Sequence, residues 1–272
     1  MNGFIKQIKL KKLKINKDYL EIIKAARAGG EVVKKYFGKN IKITGKTIPA
    51  DFKTKADMES EEVILKILNK KFPKYNIIAE ENGEKKNGSE YTFVIDPLDG
   101  TNNFVLGIPY FSIGVGLLKG SEIIFGVVYN PILDNMYFAE KGKGAYLNGK
   151  KIHVNDESNL TNSSVSVVTE YGDATNIQEK LFTELSHLKA KRCLMNWSCL
   201  LDFCLLGVGK IEGIIFSNCP LHDFIPGKLI AKEAGALVTD LDGVEEKSDK
   251  NNIFLTTNGT KIHKEILDII NK

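Results

Sequence analysis

The chain has 272 residues, 43% of them hydrophobic and 26% charged, with a net charge of +4. That length and apolar content suit one large globular unit, or two closely packed halves, with a sizeable core. The weak positive charge is not interleaved with aromatics, which argues against a nucleic-acid polymer as partner, and no apolar run approaches the ~20 residues that span a bilayer, so no transmembrane segment is expected.

Residues 1–17 form a basic leader, with Lys6, Lys9, Lys11, Lys12, Lys14 and Lys17 among Phe4, Ile5, Ile8, Leu10, Leu13 and Ile15. It has neither the apolar core of a signal peptide nor the Arg/Ser bias of a transit peptide, and it reads as a surface amphipathic segment. Asp18 is placed to cap a helix running to about Phe37, with Leu20, Ile23, Ala26, Val33 and Phe37 on its apolar side. Lys42 to Pro49 reads as strand and loop, and a second helix spans about Ala56 to Lys70, with Val63, Ile64 and Ile67 in its stripe. Strands follow over Ile77–Ala79, Phe93–Ile95, Phe111–Leu118, Ile123–Tyr129 and Met136–Ala139. Lys119-Gly120 and Asn148-Gly149 mark turns, and Glu84 to Ser89 is a polar loop. Beyond residue 160, strands at Val165–Val168, Arg192–Met195, Gly213–Phe216, Leu237–Asp240 and Asn252–Thr256 alternate with helices at Ile177–Leu188, Ser198–Gly207, Phe224–Ala234 and Lys261–Ile270. Helices, then mostly antiparallel strands, then alternating units imply an α+β fold. With no repeat and no linker, residues 18–272 read as a single unit, with approximate halves 18–155 and 156–272. Cys193, Cys199, Cys204 and Cys219 form no Cys-x-x-Cys pair; they read as buried free thiols suited to a reducing cytoplasm.

The most informative stretch is Asp96-Pro97-Leu98-Asp99-Gly100-Thr101-Asn102-Asn103-Phe104. The apolar run Tyr91–Ile95 before it reads as a buried strand, and Pro97, which cannot donate to a ladder, should end that strand. Two carboxylates at a strand end suit a hard cation, since magnesium takes a few carboxylates plus water and phosphate oxygens. Gly100 and Thr101 open a short helix whose free amides suit phosphate. Taken alone, the same residues equally make a plain turn. Three other acidic elements bear on the choice. Asn76-Ile77-Ile78-Ala79 ends in Glu80-Glu81, of which only one can face a site because adjacent strand residues point to opposite sides. Asp57 ends the run Asp51–Asp57 that leads into the second helix, and Asp223 lies at the start of the helix after His222; each equally reads as a helix cap or first-turn acid.

Taken together, Asp51, Thr54, Asp57, Glu80-Glu81, the nonapeptide from Asp96 to Phe104 and Asp223…Gly227, in order between about Lys46 and Gly235, resemble the inositol monophosphatase family. Phe125–Pro131 and Lys141–Gly149 continue the likeness. The resemblance implies a layered α-β-α-β-α sandwich and a magnesium-dependent, lithium-sensitive phosphomonoesterase. It also implies a small phosphorylated metabolite as substrate, inositol monophosphate-like or a sugar phosphate, cleaved by metal-activated water. Two or three Mg2+ per site, with Mn2+ able to substitute, and a homodimer are further implications. In residue terms the resemblance assigns Glu80, Asp96 and the Leu98 carbonyl to the tighter ion, Asp96, Asp99 and Asp223 to a second, and Asp57 to a third. It makes Glu80, Thr101 and Asp57 the catalytic group, with Glu80 and Thr101 orienting the attacking water. Leu98, Asp99, Gly100, Thr101, Ser198, Cys199, Asp223 and Lys46 would contact substrate; Lys46 reads equally as a solvated loop charge. His153, His187, His222 and His263 lie in unconnected contexts, and no side-chain nucleophile is required.

The likeness departs from the family pattern on the substrate side. His222 stands where the second signature has tryptophan, and Trp197-Ser198-Cys199 where the substrate-facing turn reads Gly-Ser/Thr-Ala. Ser198 can still bond a substrate hydroxyl, whereas Trp197 either reshapes the pocket or serves as a core or interface aromatic. Seven residues before Asp223, where inositol-specific members carry a hydroxyl-binding glutamate, stands Phe216, which cannot accept a hydrogen bond. Phe216 and Trp197 are thus candidates to stack on a base or sugar face. Phosphatases of nucleotides such as 3′-phosphoadenosine 5′-phosphate, of fructose 1,6-bisphosphate or of histidinol phosphate stay open. So does a non-catalytic regulator, although such a protein is expected to have lost a ligand.

Overall fold

The computed structural model describes residues 15–45, 52–170, 182–185 and 190–271. Lys46, Asp51, His187, the leader before residue 15 and most of the helix expected over 177–188 lie outside the described residues.

Two long helices come first, α1 (Tyr19–Tyr36) and α2 (Lys55–Lys71), separated by the short strands β1 (Ile43–Gly45) and β2 (Phe52–Thr54). Asp18 sits before α1 without a side-chain cap bond; Lys71 holds its carboxylate at 3.0 Å instead. The start of α2 is fixed by a reciprocal capping box. The Thr54 hydroxyl accepts from the Ala56 amide at 3.1 Å, and the Asp57 carboxylate accepts from the Thr54 amide at 2.9 Å.

An eight-stranded sheet follows, built from β3 (Asn76–Ala79), β4 (Gly83–Lys85), β5 (Tyr91–Asp99), β6 (Ser112–Lys119), β7 (Glu122–Asn130), β8 (Asn135–Glu140), β9 (Ala145–Leu147) and β10 (Lys150–Ile152), with α3 (Thr101–Val105) after β5. Its order is β10-β9-β8-β7-β6-β5-β3-β4, antiparallel except for the parallel pair β3/β5. A five-stranded sheet combines β11 (Ser164–Thr169), β12 (Arg192–Leu194), β13 (Gly213–Ser217), β14 (Leu237–Thr239) and β15 (Ile253–Thr257) in the order β12-β11-β13-β15-β14. Helices α4 (Cys199–Gly207), α5 (Ile225–Glu233) and α6 (Ile262–Ile270) and the 3-10 turns Leu160–Asn162 and Leu221–Asp223 accompany it.

Alternation along the strands explains the layering, because successive side chains point to opposite faces. On one face of the large sheet, Phe93, Ile95, Val115 and Val127 pack against Ile22, Ala26, Val33 and Ile64 of α1 and α2. From the other face, Val94 and Val128 meet Leu200, Phe203, Ile225 and Ile230 of α4 and α5, together with Phe216 and Phe254 of the small sheet. The outer face of the small sheet buries Val165, Ile215 and Leu255 under Ile262 and Ile266 of α6. The result is the α-β-α-β-α sandwich. The middle layer fits closely: a Cβ on Gly126 of β7 would lie 2.6 Å from the Pro226 carbonyl, so only glycine lets α5 approach.

The strand through the nonapeptide is longer than its proline suggests. β5 continues past Pro97 to Asp99, and its register against β6 shifts between Asp96, opposite Gly114, and Asp99, opposite Ser112. A one-residue bulge absorbs the missing donor of Pro97. β4 is an edge strand paired with β3 that overlaps the residues read as a polar loop; its Gly-Glu-Lys is exposed throughout and so carries no apolar signal. The strands β2, β9 and β10, three residues each, likewise lack a period-two pattern.

On α5, Lys228 is fully buried. Its ammonium lies 2.9 and 2.8 Å from the two Glu246 oxygens and 3.9 Å from the Phe254 ring centroid. Burial pushes its pKa down to about 8, against the pull of Glu246. Replacing the lysine leaves Glu246 buried and uncompensated, so Lys228→Met is expected to lower stability by about 3 kcal/mol in urea denaturation; an unchanged midpoint would contradict that reading.

Candidate active site

The bulge in β5 is what makes one site of the two aspartates. In a regular strand residues three apart face opposite sides; the extra residue between Asp96 and Asp99 restores them to the same side. Both line a cavity of about 430 Å³ together with Glu80, Leu98, Gly100, Thr101, Ser198, Cys199 and Asp223. The cavity lies where the end of β5 meets the turn before α4 and the 3-10 turn Leu221–Asp223 before α5.

Each carboxylate is held by groups that the local chain supplies. The Asp96 carboxylate accepts from the Leu98 amide at 3.0 Å. Asp99 accepts from the Ser112 hydroxyl at 2.9 Å, the Ser198 hydroxyl at 2.6 Å and the Cys199 thiol at 3.4 Å. Glu80 follows β3, and the buried carboxylate of its neighbour Glu81 pairs with the partly exposed Lys53 at 2.9 Å. Glu61 of α2 fixes this corner by accepting from the Glu81 and Asn82 amides, both at 2.9 Å. Asp57 is wholly buried behind the cavity wall. One of its oxygens serves Thr54 and the other lies 3.1 Å from the Thr101 hydroxyl, which is also 3.0 Å from the Leu98 carbonyl. Thr101 has one hydroxyl proton and two acceptors in reach, so its orientation depends on Asp57.

Gly100 holds φ +89° at the turn into α3, a left-handed conformation that glycine adopts freely. A Cβ there would also meet the Trp197 carbonyl at 3.0 Å. Ser198 differs from the sequence reading: its hydroxyl is buried and donates to Asp99, so it positions that carboxylate. Phe216 also differs. Its ring is fully buried among Phe203, Phe224 and Phe254, away from the cavity, because period-two alternation sends it into the middle layer. It cannot stack on a ligand. Trp197, by contrast, lines the cavity and is 54% exposed.

Three residues left without a role by sequence reading, Asn103 of the nonapeptide among them, shape the same wall. Asp202, a lone carboxylate in the apolar helix α4, accepts from the Tyr110 hydroxyl at 2.6 Å, the Asn196 amide at 2.8 Å and the Ser166 hydroxyl at 2.5 Å. Its signal was its isolation among Leu200, Leu201 and Phe203. Asn103 ties the site's two sides by donating to the Tyr110 and Asn196 carbonyls at 2.8 and 2.7 Å. Glu170, just beyond β11, brings a carboxylate within 4.8 Å of the Cys219 thiol and the Asp223 carboxylate. Burial raises the Cys219 pKa far above the usual thiol range, with the Asp223 and Glu170 carboxylates adding to the shift.

The electrostatics are those of carboxylates gathered out of water. Burial pushes Asp57 up to about 7, with Glu80 adding to the shift and the Thr54 hydrogen bonds opposing it. Burial raises Asp96 well above the carboxylate range, reinforced by Glu80, Asp99 and Asp223. Asp99 is raised to about 6 by burial, although Ser198, Ser112 and Cys199 pull it back. An all-oxygen donor set of converging carboxylates fits a hard divalent cation, which removes the mutual repulsion.

Comparison with known proteins agrees with this geometry. The model of the inositol monophosphatase family matches residues 16–271. A protein of Aquifex aeolicus named fructose-1,6-bisphosphatase/inositol-1-monophosphatase is 38% identical over 82% of this chain and 86% of its own. A Nus factor SuhB of Pasteurella multocida is 32% identical over 91% and 93%. The solved structure of a Thermotoga maritima IMPase superposes with a TM-score of 0.82 at 32% identity, covering 92% of this chain and 94% of that one. The chain belongs to the inositol monophosphatase family and is a phosphoric monoester hydrolase. No helix among the described residues is long and apolar enough to cross a membrane.

The raised carboxylates set a pH dependence. Between the ordinary carboxylate range near ~4 and about 7, the native site holds protons that the unfolded chain has released, so native stability falls as pH rises through that window. In chelator, the thermal midpoint is expected to be lower at about pH 8 than at about pH 5.5, and Asp96→Asn is expected to flatten the difference. A midpoint that rises over this range in the parent protein, and does so equally in Asp96→Asn, would contradict the assignment.

Proposed function

We propose that the site hydrolyses a small phosphate monoester with two or three magnesium ions, for which manganese can substitute. Glu80, Asp96, Asp99, Asp223 and the Leu98 carbonyl would hold them, with Asp57 contributing from behind the wall. The observation that carries this reading is the bulge at Pro97–Leu98, which gathers Asp96 and Asp99 on one cavity wall beside Glu80 and Thr101. Divalent cations at such a site supply a nucleophilic water at neutral pH and neutralise charge on the phosphate and leaving oxygen.

The remaining work falls to the chain's own groups, since positioning and electrostatics dominate phosphoryl transfer. Thr101 and Glu80 orient the attacking water, and Asp57 sets the direction of the Thr101 hydroxyl through its 3.1 Å contact. The amides of Gly100 and Thr101, exposed by the left-handed turn at Gly100, face the phosphate. Ser112, Ser198 and Cys199 keep Asp99 in place beside the leaving oxygen. Cys199 stays a thiol, because burial raises its pKa well above the usual range; it acts as a donor and not as a nucleophile. Lys46, outside the described residues, remains a candidate to steer phosphate. Homodimerisation, lithium sensitivity and a cytoplasmic setting complete the proposal on family resemblance.

Phosphate release from inositol 1-phosphate, fructose 1,6-bisphosphate, 3′-phosphoadenosine 5′-phosphate and histidinol phosphate tests it. Turnover of at least one compound is expected with magnesium and none in chelator. Asp96→Asn is expected to lower kcat by about 10²–10³-fold or more while the protein stays folded by circular dichroism. Turnover that survives chelation, or an Asp96→Asn enzyme of undiminished kcat, would refute the reading.

A further inference from the structure

Trp197 has a backbone conformation that its own side chain disfavours. Its φ is +55°, in the left-handed region. The other non-glycine residues found there among the described ones are Asp134, Asn148 and Asn218, whose short polar side chains tolerate it. A bulky aromatic in that region is a strained outlier, and strain of this kind persists only where the surroundings over-determine it.

The surroundings do so here. On one side Asn196 donates to Asp202 at 2.8 Å while its carbonyl accepts from Asn103 at 2.7 Å; on the other Ser198 donates to Asp99 at 2.6 Å. The Trp197 carbonyl is the atom that a Cβ on Gly100 would meet at 3.0 Å. The indole therefore starts one backbone away from the phosphate-facing turn, on a cavity wall shared with Met195, Val168 and Pro220. Glu170, near Asp223, supplies a carboxylate on the same wall.

We propose that Trp197 is a specificity-determining residue. Its indole stacks on the C–H face of a polyhydroxylated ring leaving group, and Glu170 accepts hydrogen bonds from that ring's hydroxyls. The proposal rests on the phosphomonoesterase reading above and names what this chain selects within it. A sugar or cyclitol ring has an apolar face and a polar rim, and an aromatic plane beside a carboxylate matches both. A site built to pair hydroxyls discriminates strongly against esters that lack them. The strained turn then has a use: it presents the indole to the ligand rather than to the core. A glycine at 197 removes the strain and the platform together.

Steady-state kinetics of the parent protein, Trp197→Gly, Trp197→Phe and Glu170→Gln with inositol 1-phosphate and glycerol 2-phosphate test this, alongside thermal melts and the oligomeric state by light scattering. In the parent, magnesium-dependent turnover of either ester establishes the underlying reading independently of Trp197. In Trp197→Gly the ratio of kcat/KM for the ring ester to that for the acyclic ester is expected to fall about five- to tenfold, chiefly through KM, while the melting midpoint rises. Trp197→Phe should keep most of the ratio and Glu170→Gln should lower it. An unchanged ratio in Trp197→Gly overturns the proposal, as does a shift from dimer to monomer with the ratio intact, which would make Trp197 an interface aromatic.

Discussion

The structure is organised around the difficulty of holding several carboxylates together out of water. At two other places the fold gives a buried carboxylate a cation of its own. Buried Glu81 has Lys53 at 2.9 Å, and buried Glu246 has Lys228 at 2.8 Å. At the cavity the contacts that hold Asp57, Asp96 and Asp99 come from hydroxyls, a thiol and backbone amides. Neutral donors fix direction without cancelling charge, so the carboxylates stay raised, and binding of a cation would displace their protons to solvent. The instability of the metal-free site is thus inseparable from its chemistry, and the large cores above and below it supply the stability that offsets it.

One covalent detail sets the geometry. Pro97 cannot donate, so the ladder slips by one residue, and that slip turns an i, i+3 pair into same-side neighbours. Ser60 of α2 closes the break by donating to the Pro97 carbonyl at 2.9 Å. A non-proline residue would permit a regular strand, which would send Asp99 to the opposite face, among the apolar side chains under α1 and α2. The bulge is then a functional element, and the helix pair outside the sheet helps to keep it.

The sequence displayed the fold class and the positions of nearly all the larger elements, because long amphipathic helices and apolar strands carry their periods openly. It displayed the carboxylate side of the cavity equally well, since Asp96, Asp99, Gly100 and Thr101 are close together in the chain and Glu80 follows a strand that pairs with theirs. What stayed hidden depends on contacts between distant residues. Counting back from Asp223 reaches Phe216, but only strand alternation in three dimensions shows its ring in the core. The bond from Ser198 to Asp99 joins residues 99 positions apart, and Glu170 reaches Asp223 only after β11 and β13 pair in parallel. Asp202 was visible as a misplaced charge in α4, but its three donors came from β11, the Asn196 turn and Tyr110.

This division has a physical consequence for how such a site can change. The groups assigned to metal and phosphate come mainly from β3, β5 and α3, over a run of chain whose geometry is locked by the bulge. The cavity wall proposed to face the leaving group, on which Trp197, Cys219, Glu170 and His222 lie, comes from loops and turns around the small sheet. Those turns touch the phosphate side through a few defined bonds, at Asn103, Asp99 and Gly100. Substitutions that preserve these contacts can alter the leaving-group wall without disturbing the carboxylates. Trp197 shows the limit of that freedom: its carbonyl lies close against Gly100 and its backbone is left-handed, so a residue other than glycine, asparagine or aspartate is held there against its own preference.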